Sequence, residues 1–197
     1  MDDVAGRRRA AALAGHRDDE PAARALLADP SPAVRSTALA ALARLRAAGP
    51  VDVAVALADT DPTVRRRACE VAAELAEVDL RPLLADPDAS VVEAAAWALG
   101  ERGRAASAAV AVLTRVARGH EDALCREASV AALGAIGDER GLPAILAATR
   151  DRPAVRRRAV IALAAFAGPD VDAALQRALS DRDWQVRQAA EDLTGER

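Results

Sequence analysis

The sequence predicts an all-α solenoid of about six helical hairpins with a terminal capping helix, and residues 1–197 read as a single repeat array. Three observations predict it. A short Asp-containing motif returns about every 30 residues, and apolar residues follow each copy at helical spacing. The 52% hydrophobic content includes only 2% aromatic residues, so Ala, Leu and Val must build the core.

The motif runs Asp29-Pro30-Ser31-Pro32-Ala33-Val34-Arg35, then Asp59-Thr60-Asp61-Pro62-Thr63-Val64-Arg65, Asp151-Arg152-Pro153-Ala154-Val155-Arg156 and Asp181-Arg182-Asp183-Trp184-Gln185-Val186-Arg187. Weaker copies lie at Asp86 to Val92 and Asp122 to Arg126. Anchored on Val or Cys, the six copies sit at 34, 64, 91, 125, 155 and 186. Three residues before each anchor stands Ser31, Asp61, Asp88, Asp122, Arg152 or Asp183. All but Arg152 are side chains that cap a helix by accepting from its orphan N–H groups. Pro32, Pro62 and Pro153 follow, in the first helical position, where a missing N–H costs nothing. Small residues come four after the anchor (Ala38, Ala68, Ala95, Ser129, Ala159, Ala190). Apolar ones come eight after (Leu42, Ala72, Leu99, Leu133, Leu163), completing an amphipathic stripe. Gly100, Gly134, Gly137 and Gly168 fall near the helix ends, where a positive φ costs little.

A second apolar segment completes each hairpin: Pro21 to Ala28, Val51 to Ala58, Leu80 to Leu84, Ala105 to Ala117, Leu142 to Thr149 and Val171 to Leu179. Neither helix buries its stripe alone, so each pair must stack on the next. An N-terminal pair, from about Gly6, precedes the anchors, and the last copy stops after its first helix; both ends read as caps.

Val34-Arg35, Val64-Arg65 and Val155-Arg156 after their Asp-Pro or Asp-Arg-Pro turns resemble HEAT-like repeats of the phycobilisome-lyase type, and Cys125 to Asp138 is the best single copy. The resemblance implies a right-handed solenoid and covers nearly the whole chain. It implies an interaction scaffold, with minority branches that are chromophore lyases, metal-dependent hydroxylases or DNA alkyl-base glycosylases.

The Arg after each anchor forms a ladder of Arg35, Arg65, Arg126, Arg156 and Arg187, interrupted at Val92. Each sits at the start of a helix preceded by Asp, so an inter-repeat Arg–Asp bond is the expected role. The triplets Arg7 to Arg9, Arg65 to Arg67 and Arg156 to Arg158 read as solvated outer surface, or as a site for an acidic partner. Second helices line the inner face of such solenoids. There Arg115 and Arg118 share one side with Ala108 and Ala111, and with Arg150 and Arg177 they form a partly basic surface suited to an acidic peptide or helix. Trp97, six after its anchor, is either an interface anchor or packing between first helices. Trp184 either covers the end of the stack or mediates self-association.

Catalytic chemistry finds little support. His16 and His120 are far apart, His120-Glu121 is a single His-Glu pair, and Cys69 and Cys125 occupy core positions without metal-ligand spacing. P-loop, G-x-G-x-x-G and G-x-S-x-G motifs are absent. No metal and no cofactor are expected. A net charge of -3 and the lack of Lys and Tyr argue against nucleic acid. The longest apolar run, Ala159 to Ala167, is about half the roughly 18 residues a bilayer span requires. No secretory pattern is visible, and arginine without lysine reflects a GC-rich, bacterial genome. The expected protein is a non-enzymatic cytoplasmic scaffold for another protein. A glycosylase-like nucleic-acid binder and a chromophore-lyase-like subunit are the alternatives.

Overall fold

A computed structural model describes residues 3–195. Twelve α-helices joined by short turns and 3-10 segments make up these residues, and no strand occurs among them. The fold class is the all-α solenoid that the repeat period predicts. The chain divides into two compact units, 1–95 and 96–197.

In the first unit, α1 (Val4–His16), α3 (Pro32–Arg44) and α5 (Pro62–Ala72) are first helices, and α1 packs on α3 and α3 on α5. Two second helices, α2 (Glu20–Ala25) and α4 (Pro50–Leu57), complete the hairpins. The third second segment is a 3-10 turn, Arg81–Ala85, too short and Pro-containing to become an α-helix. The next first helix, α6 (Ala89–Glu101), runs from the first unit into the second.

In the second unit the first helices are α8 (Ala123–Ile136), α10 (Pro153–Ala162) and α12 (Trp184–Thr194), with α8 on α10 and α10 on α12. The second helices α7 (Val110–Gly119), α9 (Leu142–Ala148) and α11 (Pro169–Ala178) pack in sequence against one another. The expected helix Ala105 to Ala117 is divided, with 3-10 turns over Gly103–Ala109 before α7.

Local chemistry sets these boundaries. Asp61, Asp122 and Asp183 accept from the N–H groups of Thr63, Leu124 and Gln185, and Pro32, Pro62 and Pro153 open their helices. Ser31 occupies the cap position but its side chain makes no cap bond; Asp29, two residues earlier, accepts from its backbone instead. All six residues at the small position (Ala38, Ala68, Ala95, Ser129, Ala159 and Ala190) are fully buried, as are the anchors Val34, Val91, Cys125 and Val155.

The glycines separate into two groups. Gly137 ends α8 at φ +64 and returns its N–H to Leu133 O, as its place at the helix end predicts. Gly100 and Gly134 do not take a positive φ. They lie inside helices, at points of close approach. A Cβ on Gly134 would stand 2.6 Å from Ala162 Cβ, and one on Gly100 would stand 3.1 Å from Ala132 Cα. Gly15 meets Ala41 in the same way at 3.0 Å. Each glycine lies nine residues past its anchor position and each alanine seven past the next, counting Gly6 as the anchor of α1. Backbone-to-side-chain contact at these points brings successive first helices together more closely than any larger residue would allow.

Candidate functional site

Along the turn edge of the first helices the structure places a series of guanidinium–carboxylate pairs. Arg35 donates Nε and Nη2 to Asp59 at 2.8 and 2.7 Å, and Arg65 donates to Asp86 at 2.8 and 2.8 Å. In the second unit Arg126 donates to Asp151 at 2.7 and 2.8 Å, and Arg156 to Asp181 at 2.9 and 2.7 Å. The remaining nitrogen, Nη1, turns back to the carbonyls ahead of its own helix, such as Asp29 O and Pro30 O for Arg35. Each guanidinium therefore ties its own turn to the next one, and the carboxylate also accepts from the backbone that follows it, as Asp59 does from Asp61 N. Hydrogen bonding to the arginine, opposed by desolvation and aided by the backbone N–H, holds the Asp59, Asp86, Asp151 and Asp181 carboxyls below the usual range.

Three details depart from the sequence reading. Arg7 is a ladder member: its Nε lies 2.7 Å from Asp29 Oδ2. The motif does not reveal it because Gly6, rather than Val, precedes it. Arg187 performs half the role. It donates Nη1 to Asp181 O at 2.7 Å and has no carboxylate partner among the described residues, because no further Asp turn follows it there. The interruption at Val92 is matched elsewhere. The ladder aspartates of the other turns stand four or five residues before an anchor, and five before Cys125 stands His120. The motif without a cation after its anchor is thus followed by a motif without the aspartate. His120 keeps the local part of the aspartate's role, because its Nδ1 accepts from Asp122 N at 3.1 Å.

The arginine triplets are not one class of surface residue. Their first members are rungs; Arg66 and Arg67 reach Glu70, and Arg158 lies 3.5 Å from Glu127.

The four arginines expected on the second-helix face are all exposed, Arg115 and Arg118 on α7, Arg150 after α9 and Arg177 on α11. No carboxylate lies within 4.0 Å of any of them among the described residues. Second-segment arginines of the first unit differ: Arg24 bonds Glu20 and Asp52, and Arg81 bonds Asp79. Ala108, Ala111 and Ala147 beside the four cations are exposed and small, so the guanidinium groups stand above a low surface. Such an array can bind carboxylates through paired N–H donors.

Trp97 belongs to a first helix and is 46% exposed; the structure does not bring it together with the four arginines of the second helices. Trp184 is exposed at the start of α12. His16 is exposed, Cys69 and Cys125 are buried, and no group of three or more His, Cys, Asp or Glu able to hold a metal occurs among the described residues. No helix of the described residues is long and apolar enough to cross a membrane. One surface has no counterpart in the sequence reading. Val51 and Val55, one turn apart on α4, are 77% and 71% exposed, and they line a groove together with Leu27, Arg35 and Asp59. Every residue of α4 except Asp52 is apolar, so the pattern offers no sign of which side faces water.

Stacked helical hairpins, buried small-residue seams and an Arg–Asp ladder define a helical-repeat protein. The sequence pattern described as HEAT repeats matches residues 51–132 and 77–152, and that described as PBS lyase HEAT-like repeat matches 155–181. The chain belongs to the HEAT-repeat family. No curated protein matches it.

Among solved structures it is similar to the complex of CpcE and CpcF of phycocyanin lyase from Nostoc sp. PCC7120. Identity is 23%, covering 89% of this chain and 76% of that one, with a TM-score of 0.62. A designed armadillo repeat protein in complex with the peptide (KR)4 shares 16% identity over 98% of this chain and 99% of that one, at a TM-score of 0.61. Human deoxyhypusine hydroxylase in complex with glycerol shares 23% identity over 98% and 80%, at 0.51. At these identities the likenesses concern the fold alone.

Proposed function

We propose that the protein is a non-catalytic scaffold whose second unit holds an acidic peptide or helix of another protein on Arg115, Arg118, Arg150 and Arg177. The single observation that carries this reading is that these four cations are exposed and unpaired, whereas the second-segment arginines of the first unit are bonded to carboxylates. An unpaired guanidinium has donors available without first breaking an internal pair. The armadillo likeness gives a precedent in another protein for a peptide held by this fold. Arginine as the only long basic side chain, with two buried cysteines at core positions, fits a bacterial cytoplasmic protein.

The test is fluorescence anisotropy with a labelled Glu-rich peptide, run in parallel with labelled duplex DNA over a salt series. Saturable peptide binding that is lost in the Arg115→Glu/Arg118→Glu variant is the expected result. Binding of DNA in preference to peptide, with a steep salt slope, would replace this reading with the nucleic-acid one. Peptide binding unaffected by the two substitutions would remove the site.

A further inference from the structure

Three first helices of the second unit form a trough. Trp97, Ala131 and Ile161 each stand six residues past their anchors, on α6, α8 and α10, which the Gly100–Ala132 and Gly134–Ala162 approaches set side by side. Trp97 and Ile161 are 46% and 42% exposed, and Ala131 between them is half-buried. The outer side of α8 stays low on either side of this row, because Ala128 and Ala135 share the face of Ala131 by helical spacing. Crests two helices apart are separated by roughly 16–20 Å, twice the usual interaxial distance. A helix about 10–12 Å across fits between them.

The two walls differ in charge. Glu93 and Glu101 stand four residues before and four after Trp97 on the same helix, both exposed and neither with an ion-pair partner among the described residues. Arg157 stands four residues before Ile161 on α10; it too has no ion-pair partner there, and its Nε is buried without a hydrogen bond. Its neighbour Arg158 lies against Glu127 of α8, so that pair adds no net charge. The α6 wall is therefore anionic, the α10 wall cationic and the alanine floor apolar.

We propose that this trough holds an amphipathic helix of another protein, with large apolar side chains on the floor, cations along the edge over α6 and an anion over Arg157. Glu93 and Glu101 lie about 12 Å apart along α6, so the partner's cations stand about seven or eight residues apart. Helical backbone is required, since the apolar floor and crests offer no donor or acceptor to an extended strand, whereas a helix bonds its own. A second copy set face to face would place crest on crest and hold the two alanine floors apart; a single helix fills the space. This inference does not rest on the arginine face, and either could fail without the other.

The probe is a peptide of about 20 residues, long enough to hold a helix, with a leucine strip, lysines along one edge and glutamates along the other. Two control peptides carry lysine on both edges or glutamate on both. In a Trp184→Phe background Trp97 is the remaining tryptophan, and its emission reads this face alone. A saturable shift to shorter wavelength is expected with the lysine–glutamate peptide. The glutamate-only peptide should bind about fivefold more weakly at low salt, the scale of exposed ion pairs, and Glu93→Lys/Glu101→Lys should reverse that order. Ala131→Phe raises the floor and should weaken binding tenfold or more, with circular dichroism establishing that the variant is folded. Trp97 emission that the lysine–glutamate peptide leaves unmoved at all accessible concentrations would overturn the proposal, as would equal binding of the three peptides. Sedimentation of the full chain alone tests the other occupant: a concentration-dependent dimer that Trp97→Glu disperses would give the face to a second copy and overturn the helix.

Discussion

Arg156 and Asp181 face each other across successive turns, joined by two parallel hydrogen bonds of 2.9 and 2.7 Å. The arginine also donates to Asp151 O at 2.9 Å. Both side chains are largely withdrawn from water, so the pair differs from the exposed ion pairs that contribute little to stability. Replacing Arg156 with Ala leaves a shielded carboxylate with backbone partners alone. The expected cost is about 2 kcal/mol in urea unfolding. Arg156→Lys keeps the charge but loses the planar fork, and should fall between the wild type and the alanine variant. Equal stability of all three would show that the rungs are decorative.

The close approach of α8 and α10 makes a sharper claim about sign. Gly134→Ala forces a methyl group to within 2.6 Å of Ala162 Cβ and 2.9 Å of its Cα, so the two helices must separate. We expect a loss of about 1 to 3 kcal/mol, the usual range for overpacking. Gly119, the last residue of α7, has no positive φ, and a methyl group placed on it would meet nothing within 4 Å. Gly119→Ala should therefore raise stability by about 0.5 to 1 kcal/mol through reduced backbone entropy of the unfolded chain. Thermal unfolding of the two variants should move in opposite directions.

Ser129 occupies the position where the other five repeats carry Ala, and its hydroxyl is buried without a hydrogen-bond partner. Ser129→Ala removes an unsatisfied group and leaves the small volume unchanged. It should stabilise by about 1 kcal/mol, from restored solvation balance and better helix propensity together. A destabilised variant would mean that the hydroxyl finds an acceptor in solution.

What can be read from the sequence follows from how local its cause is. Caps, first-turn prolines and the buried small position depend on residues within one helix, and the motif shows them directly. The ladder arginines are legible for the same reason, although the partner of each lies in the following turn. Arg7 is hidden because the motif is recognised by Val at the anchor, whereas the role of this arginine depends only on its place after the cap Asp3. Gly134 reads as a helix end when taken alone; its meaning comes from Ala162, 28 residues away. The exposure of Val51 and Val55 is illegible because α4 is apolar on all sides, and only packing decides which face is covered.

The ladder also sets a pH dependence. Asp59, Asp86, Asp151 and Asp181 have carboxyls held below their ordinary value, chiefly by hydrogen bonds from Arg35, Arg65, Arg126 and Arg156. In the unfolded chain the same groups titrate near about 3.9. A depressed value in the folded state means that the unfolded state binds protons first, so stability falls as pH drops below that figure and continues to fall through the lower folded values. Above about pH 5 the contribution is complete and flat. Unfolding midpoints measured from neutral to acid pH should therefore hold steady and then decline. The difference between wild type and Arg156→Ala should be largest at neutral pH and shrink in acid, because protonating Asp181 abolishes the same interaction that the substitution removes. A difference that stays constant down to the lowest pH would mean that Arg156 acts through packing of its aliphatic stem instead of through its charge.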